Sequence, residues 1–167
     1  MDGRIEEARR GNRDALGSLV REHYARVYRF CARRIGDDLA EDAAQETFVT
    51  MQRSIKRYQE RSSFETWLLG IAHNHCRNLS RKKRLQPLSL AAWEGECPQE
   101  PTRQFIDREA LKCALLKLSE EHREVVLLHE VEGLRYAEIG EILGVPEGTV
   151  KSRLHHAFQN MRRLLSE

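Results

Sequence analysis

The stretch from Leu134 to Phe158, LRYAEIGEILGVPEGTVKSRLHHAF, leaves the chain the least freedom. Ile139, Ile142 and Leu143 fall at helical spacing, Gly144 stops that run, and a second apolar row of Val150, Leu154, Ala157 and Phe158 begins a few residues later. Two helices must therefore meet across a tight corner. Gly140 leaves room where the axes approach, Gly144 can take the left-handed conformation that ends the first helix, and Val145 supplies an apolar plug. This is the pattern of a helix-turn-helix. On its second helix Lys151, Ser152, His155 and His156 point away from the Val150/Leu154 row, which suits an N-terminal half lying in a major groove. The same spacing also describes two core helices with a solvated polar face.

Charge alone does not announce nucleic acid: the formal net charge is only +2 over 167 residues, so any such signal is local. No apolar run is long enough to span a bilayer and no leader precedes the first helix, so a cytoplasmic chain without membrane insertion is expected. Cys31, Cys76, Cys97 and Cys113 lack a CxxC pair, and reduced thiols are expected. His73, His75 and Cys76 crowd together in HNHC, but on a helix His75 projects away from the face shared by the other two, so no metal or other cofactor is expected. No Ser/His/Asp set, glycine-rich phosphate loop or paired-carboxylate arrangement is legible, which argues against an enzyme.

Taken in order, a short mixed-charge helix from Ile5 to Arg10 breaks at Gly11, and Asn12 caps a helix whose Leu16, Leu19, Val20, Tyr24, Val27, Phe30 and Cys31 share one face. A further helix from about Asp38 turns Leu39, Ala43, Phe48, Met51 and Ile55 inward and leaves Asp42, Gln45 and Glu46 outward. Ser62 or Ser63 caps the next, which carries Phe64, Trp67, Leu68, Ile71, Cys76 and Leu79. Arg77, Arg81, Lys82, Lys83 and Arg84 crowd its end, where cations suit the helix dipole and also suit a phosphate-tracking strip beside aromatic groups. Proline, glycine and acidic residues then break both periodicities, which predicts a flexible linker over 86–104 with at most a turn of helix near Leu90 to Trp93. Helical spacing resumes at Phe105, Ser119 caps another helix, and Gly133 ends it. The expected fold is all-α, with small helical domains over 1–85 and 105–167.

The order of DAAQETF (Asp42 to Phe48), FETWLLGIAHN (Phe64 to Asn74), a basic RKKR end, a linker and LSEEHREVVLLHEVEGLRYAEIGEILGVPEGTVKSRL resembles the extracytoplasmic-function sigma factors of bacterial RNA polymerase, group IV of the sigma-70 family. The resemblance covers nearly the whole chain. It implies a three- to four-helix sigma-2 domain and a four-helix sigma-4 domain, no catalytic residues, and a role in promoter recognition, strand opening and transcription initiation at a stress- or signal-specific regulon.

Carried over residue by residue, the resemblance puts Asp42, Gln45 and Glu46 against the clamp helices of the polymerase largest subunit, with the flap as a further polymerase contact. The segment Arg57 to Ser63, with Tyr58, Glu60, Arg61 and Ser62, becomes the loop that captures a flipped minus-10 base. Trp67 stands beside it and Asn74 reads a neighbouring base, while Arg77, Arg81, Lys82, Lys83 and Arg84 hold the opened strand. Lys151, Ser152, His155 and His156 become minus-35 duplex readers, with Arg135, Thr149 and Arg153 on phosphates. The linker, with Glu94, Glu96 and Glu100, would run toward the active-site channel, and an anti-sigma factor is an expected partner. This chain departs from the pattern at Glu60 and Arg61, where many members carry Gly-Asp, at Asn78, where Asp is common, and at His156, where Arg is usual. Because an imidazole is only partly charged near neutrality, minus-35 affinity is expected to decline as pH rises. The rival expectation is a helix-turn-helix regulator with an N-terminal sensing domain, binding duplex operators as a dimer.

Overall fold

The structure, a computed structural model, describes residues 3–85 and 108–166, with side chains up to Lys82 and from Ala110. The expected linker, the turn near Leu90 to Trp93 and the acidic Glu94, Glu96 and Glu100 lie outside these residues. The chain divides into two compact units, and every regular element described in either is helical.

In the first unit α1 spans Gly3–Arg9, α2 Arg13–Ile35, α3 Asp37–Ser54 and α4 Phe64–Leu85, with a 3-10 turn Ile55–Arg57 after α3. Asn12 starts α2 as its sequence position implied, its side-chain oxygen accepting the N–H groups of Asp14 (2.9 Å) and Ala15 (3.2 Å). Gly36 alone, at φ +83°, separates α2 from α3. Ala40, Ala43 and Ala44 are fully buried on α3, so its backbone can lie close against its neighbours, while Phe48, Met51 and Ile55 fill the space beyond. Of the two candidate serines it is Ser63 that caps α4, accepting the Thr66 N–H at 3.0 Å. Leu19, Val27, Phe30, Leu68 and Leu69 complete the core, each burial contributing about 1.5–3 kcal/mol.

The polar groups in this core have explicable states. Thr47 donates its hydroxyl to the Ala43 carbonyl at 2.7 Å. His73 is only 3% exposed, and burial, with the Arg34 and Arg77 cations nearby, holds its imidazole down at about 4, so it is neutral at pH 7. Cys31 and Cys76 are buried thiols in contact; the hydrogen bond from Cys76 and burial push the Cys31 thiol far up, which leaves it a poor nucleophile. His75 instead meets Thr50, Nε2 to Oγ1 at 2.9 Å, so the HNHC residues diverge. Cys113, in the second unit, is disulfide-bonded, against the expectation of reduced thiols.

The second unit holds α5 (Arg108–Lys117), α6 (Glu120–Val126), a π-helical turn Leu127–Val131, α7 (Tyr136–Leu143) and α8 (Glu147–Ser166). Ser119 caps α6 by accepting the His122 N–H at 3.4 Å, and Gly133 ends the π-helical turn at φ +69°. Helices α5, α6 and α7 all pack on α8, around Val125, Leu128, Ile139, Val150 and Leu154. The α7–α8 corner follows the expected design. Gly144 is left-handed (φ 68°, ψ 33°), and a Cβ added at Gly140 would come within 2.8 Å of the Val145 carbonyl oxygen. Phe158, expected on the inner row, is instead 37% exposed.

Candidate polymerase and nucleic-acid interfaces

Residues 58–63 leave the 3-10 turn and lead into α4 over an aromatic floor. Tyr58 lies 5.0 Å from Trp67 and 5.7 Å from Phe64, ring centroid to centroid, and Phe64 lies 5.6 Å from Trp67. The Tyr58 hydroxyl donates to the Ser62 carbonyl at 2.7 Å and closes the loop from beneath. Tyr58, expected among the minus-10 residues, is only 6% exposed and supports the loop from within. Glu60 and Arg61 are exposed at the tip, and Ser62 and Trp67 are half-buried beside them. Glu60 has φ +57°, a conformation that a residue with a Cβ disfavours.

A side chain from far away in sequence holds this tip. Arg9, at the end of α1, donates from Nη1 to Glu60 Oε1 at 3.0 Å and from Nη2 to the Tyr58 carbonyl, with its guanidinium 5.5 Å from the centre of the Tyr58 ring. The sequence carried no short-range sign of it, since 49 to 51 residues separate the partners. On the far side of the loop Arg26 of α2 pairs with Glu65 in the first turn of α4.

Beyond the loop, Trp67, Asn74, Arg77 and Arg81 fall on one side of α4 at helical spacing, and the last three are exposed, as is Lys82. The side chains of Lys83 and Arg84 lie outside the described residues. On α3, Asp42, Gln45 and Glu46 are all exposed on the face opposite the buried alanines, with Gln45 donating to Glu41 at 3.3 Å. The first unit therefore presents an acidic face on one helix and a basic stripe on another.

In the second unit α8 starts with the Thr149 and Val150 N–H groups donated to the Pro146 carbonyl at 2.9 and 3.2 Å. Lys151, Ser152, His155 and His156 are exposed on one side and Thr149 is half-buried. Lys151 pairs with Glu147 at 2.8 Å, a contact that raises its ammonium pKa and keeps it charged, and lies 5.6 Å from the Tyr136 ring centre. Ser152 donates to the Thr149 carbonyl at 3.0 Å, and His155 meets Gln159 at 3.0 Å. His156 stands 6.3 Å from His122 of α6, a neighbour that sequence spacing did not suggest. Arg135 is open to solvent, its backbone N–H and Nε both donated to Glu138. Arg153 differs: it is half-buried and turned back onto Glu121 at 3.1 Å. That pairing engages its charge on the α6 side of the helix, so its expected place among the phosphate contacts is one for mutation to test.

Comparison with known proteins bears on these faces. The family model described as Sigma-70 region 2 matches residues 19–86, and that described as Sigma-70, region 4 matches residues 108–161. The RNA polymerase sigma factor CarQ of Myxococcus xanthus is 35% identical over 167 residues, covering 98% of this chain and 96% of its own. The ECF RNA polymerase sigma factor SigW of Bacillus subtilis is 30% identical over 179 residues, with the same coverage of 98% and 96%. Among solved structures, the sigma factor RpoE in complex with the anti-sigma factor NepR from Bartonella quintana is similar with a TM-score of 0.71 and 25% identity, covering 90% of this chain and 96% of that one. Two all-helical units, one ending in a helix-turn-helix and matched as region 4, define a sigma-70-type transcription initiation factor. The chain belongs to the extracytoplasmic-function sigma factors of that family and directs transcription initiation by RNA polymerase.

Proposed function

We propose that this sigma factor docks on the clamp helices of the polymerase largest subunit through Asp42, Gln45 and Glu46, with the second unit near the flap. The 58–63 loop then receives an extruded minus-10 base, and Asn74, Arg77, Arg81 and Lys82 follow the opened single strand along α4. The exposed side of α8, with Arg135, takes the duplex minus-35 element. The carrying observation is the opposed charge of the first unit, acidic on the outer face of α3 and basic along α4, which suits one helix to a protein partner and the other to phosphates. Extruding a base costs a few kcal/mol, and a pocket with an aromatic floor and a cationic stripe is the chemistry that offsets it.

Two modest DNA surfaces in one chain need the polymerase to fix their separation before they bind together with useful affinity. A free regulator acting as a dimer has no use for the first unit, and the region 2 match over 19–86 weighs against that reading. The site of action is then the cytoplasm, where the polymerase and the promoter are; no helix among the described residues is long and apolar enough to cross a membrane. An anti-sigma partner covering the same faces is the natural means of control; the Bartonella sigma factor is itself found in complex with an anti-sigma factor.

In-vitro transcription with core polymerase on fragmented genomic DNA tests the whole reading: start sites should appear only when this protein is added. Asp42→Arg with Glu46→Arg should cost about 2–5 kcal/mol of core binding and leave the fold intact. Undiminished co-purification of that variant with core would refute the docking face.

A further inference from the structure

Helix α1 precedes the stretch matched as region 2, which begins at residue 19, yet both of its ends are tied to the first unit. Near its start Arg4 donates to Glu22 of α2 at 2.5 Å and to Ser18 at 3.5 Å, and Ala8 is 2% exposed. At its end Arg9 reaches the tip of the 58–63 loop. Its two terminal nitrogens address two different acceptors, the Glu60 carboxylate and the Tyr58 carbonyl, while Glu6 steadies it at 3.3 Å from behind. Only a forked guanidinium does this; a lysine has one nitrogen to offer.

The residue so held is the one in a disfavoured backbone conformation. Glu60 is the described non-glycine residue with positive φ, in a position where a glycine would need no support. We infer that Arg9 is a latch on this loop, a positioning residue that keeps the tip in the shape that receives the extruded minus-10 base. The inference rests on the reading of 58–63 as the capture loop. By it, α1 belongs to the strand-opening apparatus, and the Arg9–Glu60 pair replaces with an ion pair what a glycine supplies through its own backbone freedom. Arg9 touches no DNA in this arrangement: it acts through Glu60 and Tyr58.

The experiment uses holoenzyme reconstituted with core polymerase, on a promoter recovered by the transcription assay above, with 2-aminopurine placed in turn at each non-template minus-10 position. The parent should brighten one position as the base leaves the stack. Arg9→Ala should reduce the rate of that brightening about tenfold, as loss of charge-assisted hydrogen bonds implies, with core co-purification unchanged, and Arg9→Lys should fall between. In a Glu60→Gly background the same Arg9→Ala change should cost only about threefold, because glycine holds φ +57° unaided while the Tyr58 tie is still lost. Brightening at the parental rate in Arg9→Ala, an equal loss in both backgrounds, or loss of core binding would overturn the latch. If no position brightens in the parent, the capture loop itself is misassigned and the latch falls with it.

Discussion

The 58–63 loop and helix α8 present their exposed side chains by different means. On α8 the hydrogen bonds of the exposed side chains are local: Lys151 to Glu147 and His155 to Gln159 four residues apart, Ser152 to Thr149 three apart, while the half-buried Arg153 reaches across to Glu121 of α6. In the loop the ties come from α1 and from an aromatic floor contributed by α4, and one residue sits at positive φ. A regular helix lets one exposed side chain change while its backbone stays put. A loop held from a distance does not, since replacing a support moves the residues it supports. Reading residues on α8 can therefore be exchanged singly, whereas those at the loop tip change as a set.

The largest expected effect attacks the regular partner at its one close contact. Gly140→Val drives a side chain into the Val145 carbonyl and should destabilise the second unit by about 3 kcal/mol. Urea unfolding of the chain monitors it, and a loss under about 1 kcal/mol would mean the corner adapts as freely as a loop. Acid should separate the two regions next. The unfolded chain binds a proton at residue 73 below about pH 6.5, a histidine's ordinary value, but the folded chain does so only near 4. Stability of the first unit is therefore lost as pH falls from about 6.5 toward 4, by up to about 3 kcal/mol. Unfolding followed by Trp67 fluorescence across that range reads it, and His73→Phe should flatten the slope; an unchanged slope would assign the acid sensitivity to another group.

Smaller effects test the face of α8. Lys151→Ala should make the salt dependence of minus-35 duplex binding shallower by about one counterion, while Arg153→Ala, whose charge faces Glu121, should leave that slope alone. A salt slope altered by Arg153→Ala would place it among the phosphate contacts.

The same contrast explains what could be read from sequence. The α7–α8 corner was legible at Gly140 and Gly144, which act over a few positions, whereas Phe158 at the far end of the second apolar row was not. The Asn12 and Ser119 caps and the outward side of α3 were legible too. The burial of Tyr58 was hidden because its neighbours are polar and its hydroxyl partner, the Ser62 carbonyl, is a backbone atom that no residue letter reveals. The Arg153 pairing was hidden for a related reason: its spacing places it near the exposed side, and only the packing of α6 brings Glu121 within reach. Arg9 gave no signal, since nothing in a helix of seven residues indicates a partner some fifty positions on.

The single residue between α2 and α3 also bears on time. With Gly36 alone as the connection, these two helices form a hairpin of local contacts, the kind that closes fast and does not wait for distant sequence. Domains are completed from the N-terminus as the chain is made. The outer side of α3 therefore leaves the ribosome ahead of the loop's aromatic floor, α4 and the second unit, so the side assigned to the polymerase emerges before either side assigned to the promoter.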